Sequence, residues 1–281
     1  MKSYPIKLTL TIISSVSLIT LLAGKVSAIT ELPLQIANYS TTSIAQAETT
    51  PDIDLLAKTI RDFLQSDRYL TESESLVSAR TEGFDVKFNI KTKTIAQSGR
   101  KFRSEITFTE QGDKGKSTRL VISDGEQVWI YRPDLKQYAV TSYTDFRESF
   151  LIGISSLMFI EFPEDARQPI AQSENSKSTL QEAGLTNLKE LQQEQRTVDG
   201  EELSIYTYKD SREGFTFSGF IQPQTANLKQ LEMRGNSEGL DIVVTEKILA
   251  RTTAPAIDAQ TFTFTPPAGV KKVESLSISP F

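Results

Sequence analysis

The chain has 281 residues and a net charge of −5, and it contains no histidine and no cysteine. Those two absences exclude Ser-His-Asp and Cys-His nucleophiles, the usual zinc ligand sets, disulfides, haem attachment and a lipid anchor on an N-terminal cysteine. Hydrophobic residues make up 38% and charged residues 24%, the composition of a chain that folds around a large core.

The first 28 residues read as an export signal. Lys2 and Lys7 precede the uncharged run Leu8 to Ala23, and Val26-Ser27-Ala28 supplies small residues at the positions a signal peptidase reads. The run is shorter than the roughly 20 residues of a membrane span. Cleavage after Ala28 is expected; Ala45-Gln46-Ala47 offers a second site, and a retained anchor is a third outcome. Removing residues 1–28 takes away Lys2, Lys7 and Lys25 and no acid, so the net charge moves from −5 to −8. Such an acidic exported chain is not expected to bind nucleic acid. Residues 29–50, rich in Ser, Thr, Ala and Gln, read as a flexible leader, and 51–281 as a single domain.

Asp52 stands where a helix N-cap belongs, and Ile53, Leu56, Ile60, Phe63 and Leu64 recur at helical spacing through Gln65. From about Thr81 the period changes to two: Phe84, Val86, Phe88, Ile90, then Phe102, Ile106, Phe108, then Leu120 and Ile122. Alternation of β-branched and aromatic residues means strands, and Asp124-Gly125 is a strong hairpin signal. No crossover of helical length separates these strands, so they form an antiparallel meander. Phe146, Phe150, Leu151, Ile154, Leu157 and Met158 then place an unusually apolar helix over 145–160, followed by a polar loop over 161–178 that contains two prolines. Strands resume from Leu185 to Val198, turn at Asp199-Gly200, and continue over 203–208, 215–221, 228–233 and 240–249. Phe262-Thr263-Phe264-Thr265-Pro266-Pro267 is expected to close the domain as an edge strand. The fold class is mainly β (α+β): a large curved antiparallel sheet forming a half-open barrel, with helices covering or filling its concave face.

The run from Ser123 to Tyr138 (SDGEQVWIYRPDLKQY) resembles the hallmark hairpin of the periplasmic lipoprotein-carrier superfamily, and Phe262 to Val270 (FTFTPPAGV) is similar to its ending. Arg100 to Glu105 is similar to its second-strand segment. The order of these motifs matches across roughly residues 52–274. The resemblance implies an incomplete barrel of about eleven strands under a helical lid. It also implies a hydrophobic cavity for acyl chains, in carriers of lipoproteins or lipids or in stress-sensing regulators. Ser98-Gly99 stands where carriers have the Arg-Pro pair whose Arg latches the lid, so that latch has no counterpart at this position.

The expected function is that of a non-enzymatic periplasmic carrier or chaperone in outer-membrane biogenesis, binding acyl chains of lipoproteins or lipids. The alternative is a regulatory or scaffold domain of the same fold, with a self-filled cavity and a protein partner. Candidate cavity and lid residues are Phe88, Ile90, Phe102, Ile106, Phe108, Trp129, Tyr131, Phe150, Leu151, Ile154, Leu157, Met158, Phe215 and Phe217. For each, ordinary core packing is the competing reading, because large apolar side chains dominate cores. No catalytic residue, metal or cofactor is expected. Membrane-associated donor or acceptor proteins are the expected partners, and the chain is expected to be a monomer. Arg100, Lys101, Arg103 and the stretch Lys114 to Arg119 form a basic patch, read either as the polar outer face of two strands or as a contact for anionic headgroups.

Overall fold

A computed structural model describes residues 50–81, 84–109, 116–146, 149–210, 214–237 and 240–279. The expected signal segment, both cleavage sites and all but the last residue of the leader lie outside these residues. Helix α1 (Ile53–Leu64) begins at the expected cap: the Asp52 carboxylate accepts from the backbone N–H groups of Asp54 and Leu55, each at 3.1 Å. Its apolar stripe faces the sheet, and the Tyr206 hydroxyl, donating to the Asp52 carbonyl at 2.8 Å, fixes where it starts.

The sheet consists of two antiparallel meanders. The first is β1 (Arg68–Thr81), β2 (Phe84–Gln97), β3 (Lys101–Thr109), β4 (Lys116–Asp124), β5 (Gln127–Arg132) and β6 (Gln137–Ser142). The second is β7 (Leu191–Val198), β8 (Glu201–Asp210), β9 (Phe215–Gln222), β10 (Asn227–Ser237) and β11 (Leu240–Thr253). Antiparallel pairing of β1 with β11 joins them into one unclosed sheet, and the short β12 (Lys271–Lys272) runs parallel to β6 at one edge. The full order is β12-β6-β5-β4-β3-β2-β1-β11-β10-β9-β8-β7. The Asp124-Gly125 hairpin forms as expected. The Asp124 carboxylate accepts from the N–H groups of Glu126 and Gln127. Gly125 has φ 105°, and a Cβ there would lie 2.4 Å from the Gly99 carbonyl oxygen.

Four elements differ from the sequence expectation, each for a physical reason. Strand β1 has no counterpart in that expectation, because its inward positions include Thr71, Ser73 and Ser75 and so show no apolar alternation. The apolar helix over 145–160 is broken at Gly153 (φ 98°) into a 3-10 turn, Ser149–Ile152, and α2 (Ile154–Glu161). The polar loop over 161–178 holds α3 (Glu164–Ala171) and the start of α4 (Ser176–Glu182). Pro163 sits at the N-cap of α3, where its missing N–H costs nothing, and Glu164 and Asp165 favour the first turn. Finally, Phe262 to Pro267 is not a strand. Phe264 instead packs on the rings of Tyr131 and Tyr138, at 5.7 and 5.3 Å between centroids. The tail then runs beside the β6 edge, where the N–H groups of Lys271 and Val273 donate to the carbonyls of Lys136 and Tyr138, and it buries Ile278 in the main core.

One close approach tests the packing of the inner face. A Cβ on Gly235 of β10 would fall 2.2 Å from the Phe215 ring on β9, its direct cross-strand partner. Gly235→Ala is expected to cost about 1–3 kcal/mol by overpacking, and clearly less in a Phe215→Ala background. Denaturant melts of the four proteins measure the coupling, and equal costs in both backgrounds would refute it.

Candidate functional site

Phe88, Ile90, Phe102, Ile106, Phe108, Phe150, Leu151, Ile154, Leu157 and Phe215 share one buried cluster, with Phe217 packed partly buried against it. Strand parity explains the grouping: even-numbered residues of β2 and β3 face inward, where the 3-10 turn and α2 cover them. The rings of Phe88 and Phe108 meet at 6.2 Å, and those of Phe102 and Phe146 at 6.1 Å.

Three expected residues are placed elsewhere. On β5 it is Val128 and Ile130 that enter the core. Trp129 therefore stands on the opposite face, with Ile122 and Val140 as cross-strand neighbours, and Tyr131 packs against Phe264 there. Met158 is 39% exposed on the solvent side of α2. The expected basic patch also divides. Arg119 points inward, buried, with its guanidinium on Asp134 at 3.2 Å, while Arg100 turns towards α2; Lys114 is outside the described residues.

The covering segment is held on the inner face by polar contacts. Ser73 with Thr92, and Thr94 with Ser104, pair across strands at 2.8 Å, and Thr94 Oγ1 donates to the Ile152 carbonyl at 2.9 Å. Beside them lies Glu246 of β11, at 0% exposure. Its carboxylate accepts from the Ser155 N–H at 2.6 Å and from Ser155 Oγ at 3.0 Å, in the first turn of α2. Gly153 is required twice over: its φ is left-handed, and a Cβ there would lie 2.7 Å from Glu246 Oε1. Burial pushes the Glu246 carboxyl up, against hydrogen bonds from Ser155 and Ser73 and the attraction of Arg251.

The far end of α2 is held as well. Arg167 of α3 donates to the carbonyls of Phe159 and Phe162, and its guanidinium lies 4.1 Å from the centre of the Phe159 ring. Burial pulls its pKa down. Glu161, the last residue of α2, accepts from the Tyr143 hydroxyl, while Arg100 reaches Glu161 at 3.8 Å and lies 5.0 Å from the centre of the Tyr143 ring. Burial first, and Glu161 second, push the Tyr143 pKa up. Arg100 follows the Ser98-Gly99 pair and touches the lid from there.

A pocket of about 370 Å³ opens between α1, β10 and β11. Arg251 forms part of its wall, with its guanidinium 3.8 and 3.9 Å from the ring centres of Phe63 and Tyr69. Burial lowers the Arg251 pKa to about 10, opposed by the attraction of Tyr69 and Glu246, so it remains a cation at neutral pH.

Glu246, Ser155, Gly153, Arg167 and Arg251 are not among the residues expected from sequence. Glu246 leaves a signal, since Ile242, Val244, Glu246 and Ile248 alternate and put a carboxylate in an apolar phase. Arg251 leaves none: β11 carries an extra residue at Leu249, where Glu72 faces Ala250 and Ser73 faces Ile248, so the parity of the strand changes. Among the described residues no group of acidic side chains could hold a metal ion, and no helix is long and apolar enough to cross a membrane.

No family model matches the chain, and no curated protein shows significant similarity to it. Among solved structures it is similar to an uncharacterized conserved protein from Thermus thermophilus, at 12% identity and TM-score 0.38, covering 79% of this chain and 98% of that one. A LolA superfamily protein from Nitrosomonas europaea is similar at 10% identity and TM-score 0.28, covering 74% and 96%. LprF from Mycobacterium bovis is similar at 9% identity and TM-score 0.35, covering 73% and 95%.

The buried carboxylate sets a pH dependence. A pKa raised on folding means that the native state holds this proton more tightly than the unfolded chain does. The stabilisation is therefore complete below the unfolded value, about 4.3, and is lost as pH rises through the folded pKa. Glu246→Gln cannot titrate, so the melting temperature of wild type relative to this variant is expected to fall as pH is raised from about 4.5 to about 8. A difference that is flat with pH, or that rises, would contradict the raised pKa.

Proposed function

We propose that the protein is an exported carrier for acyl chains of lipoproteins or lipids, seen with its lid closed. The chain acts in the periplasm once residues 1–28 are removed, as a single domain over 51–281, and works by binding rather than by catalysis. The observation that carries the reading is the lid itself. The segment 149–161 buries Phe150, Leu151, Ile152, Ile154, Leu157, Phe159 and Ile160 on the inner face, yet it is fixed there by few polar contacts: the Glu246–Ser155 clip, Thr94 on Ile152, and Arg167, Tyr143 and Arg100 at the far end.

Magnitudes favour exchange. An acyl chain burying about 14 methylenes gains about 11 kcal/mol, at about 0.8 kcal/mol each. Exposing the seven buried lid side chains costs about 10–21 kcal/mol, at about 1.5–3 kcal/mol each. One acyl chain therefore matches the lower end of the lid's cost, so cargo and lid compete for the inner face and the acyl chain is released readily, as a carrier requires. Phe88, Ile90, Phe102, Ile106, Phe108, Phe215 and Phe217 would line the opened site.

A chain without cysteine accepts single labels cleanly. Spin labels at Met158→Cys on the outer side of α2 and Leu135→Cys in the β5–β6 turn are expected to change separation when a fatty-acyl probe is added. No saturable probe binding and an unchanged distance would leave the second reading: a regulatory or scaffold domain that binds a protein partner on its outside. The filled inner face is what favours that reading.

The clip also gives a graded test. Ser155→Ala removes one hydrogen bond to Glu246, worth about 0.5–1.5 kcal/mol. It is expected to lower the melting temperature while tightening acyl binding about 2- to 10-fold, because it raises the lid-open fraction. Unchanged or weaker binding in a folded Ser155→Ala protein would count against a lid that gates the site.

A further inference from the structure

The pocket beside α1 borders the lid cluster, with which it shares Tyr69, and three features converge on it. Arg251 forms part of the wall; its Nε and Nη1 are enclosed and have no hydrogen-bond partner among the described residues, while Nη2 reaches the Phe63 carbonyl at 3.5 Å. Both strand irregularities of this region put their extra residue in the same wall. On β11 that residue is Leu249, which is 53% exposed, and on β10 it is Lys229, between the pairs Leu228–Ile221 and Gln230–Phe220. Ala226, the last residue of the β9–β10 turn, also lines the pocket, with the left-handed φ that Lys136 adopts at the same place in the β5–β6 turn. Bulges of this kind re-aim side chains and concentrate next to binding sites.

The charge of the wall has one sign to spare. Asp62 is its single acid, and its carboxylate is taken by Lys58 at 2.5 Å. Lys229 is held by Glu201 at 3.2 Å, on the exposed side. Arg251 has no acid in ion-pair contact among the described residues, and Asn227 and Thr253 add amide and hydroxyl groups to the wall. A planar cation stacked between Phe63 and Tyr69 is fixed in orientation, and its uncompensated charge in the wall attracts an anion that enters the pocket.

We propose that this pocket binds an anionic oxygen group, a phosphate or a carboxylate, on Arg251, with Lys229 and Asn227 beside it. The anion is either free or the headgroup of an amphiphile. The site does not depend on the carrier reading, because a free anion needs no acyl chain and the lid need not open to admit it.

The test uses calorimetry on the intact chain with inorganic phosphate, dodecyl phosphate and uncharged dodecanol. Dodecyl phosphate is expected to bind more tightly than dodecanol, by about tenfold, and to weaken as salt is raised. Binding of inorganic phosphate as well would make the free anion sufficient, whereas its failure beside tight dodecyl phosphate would assign the pocket to headgroups; both support the site. Arg251→Gln is expected to remove the advantage of the phosphate while leaving dodecanol binding unchanged. Should that variant fold poorly, Leu249→Trp, which obstructs the pocket from an exposed position, and Lys229→Gln carry the same test. The proposal is overturned if dodecyl phosphate binds no better than dodecanol, or if its affinity survives both Leu249→Trp and Lys229→Gln. Loss of dodecanol binding in all proteins, with phosphate binding retained, would reject the carrier reading and leave the anion site standing.

Discussion

A carboxylate at the centre of an apolar face is the constraint around which the rest of this structure is arranged. Glu246 points from β11 into the inner side of the sheet, where an unpaired charge would be prohibitive. It is tolerated because Ser155 supplies a backbone N–H and a hydroxyl from the first turn of α2, the end of a helix that favours negative charge. That contact in turn demands a glycine at 153, since any side chain there would strike the carboxylate. The interruption of the apolar segment at Gly153 and the seating of α2 are thus one event. The hydroxyl pairs Ser73–Thr92 and Thr94–Ser104 continue the same polar strip across β1, β2 and β3.

This strip also explains what can be read in the sequence and what cannot. The first helix, the hairpin at Asp124-Gly125 and the strands β2, β3, β8, β9, β10 and β11 are legible, because apolar periodicity or turn chemistry marks each of them. Strand β1 is hidden because it supplies the hydroxyl half of the strip, so its inward residues look like surface residues. Phe88, Ile90, Phe102, Ile106 and Phe108 show their common face through parity alone. Trp129 and Tyr131 escape the same reasoning, since alternation cannot say which of two apolar faces is the inner one. Here both faces are covered, the outer one by the tail through Phe264. The helices within 161–182 are obscured by two prolines, one of which begins a helix rather than ending one.

The unclosed sheet has two edges, and they are treated differently. The β6 edge is shielded by the C-terminal tail, which packs Phe264 on the outer face, pairs Lys271 and Lys272 along the strand and buries Ile278 inside. The tail therefore clasps the sheet from both sides and protects the strand from pairing with another chain. At the other end, β7 exposes Gln192, Glu194, Gln195, Arg196 and Thr197 to varying degrees. Protection there comes from polar side chains rather than from cover, a second common way to discourage edge pairing.

The bulge at Leu249 links the two sites. Without it, Arg251 would share the outward phase of Lys247 and Leu249; with it, Arg251 joins Glu246 on the inner side of β11 and pairs across from the inward Thr71. One inserted residue thus places a cation near the buried carboxylate, and their attraction lowers the carboxyl pKa while raising that of the guanidinium. Arg251 also lies 5.9 Å from the centre of the Phe159 ring in α2. The pocket cation therefore touches the covering helix at one point and biases its anchoring carboxylate at another. Any anion that draws on the Arg251 charge takes some of that bias away from Glu246, which makes the clip and the pocket one electrostatic unit on a single strand.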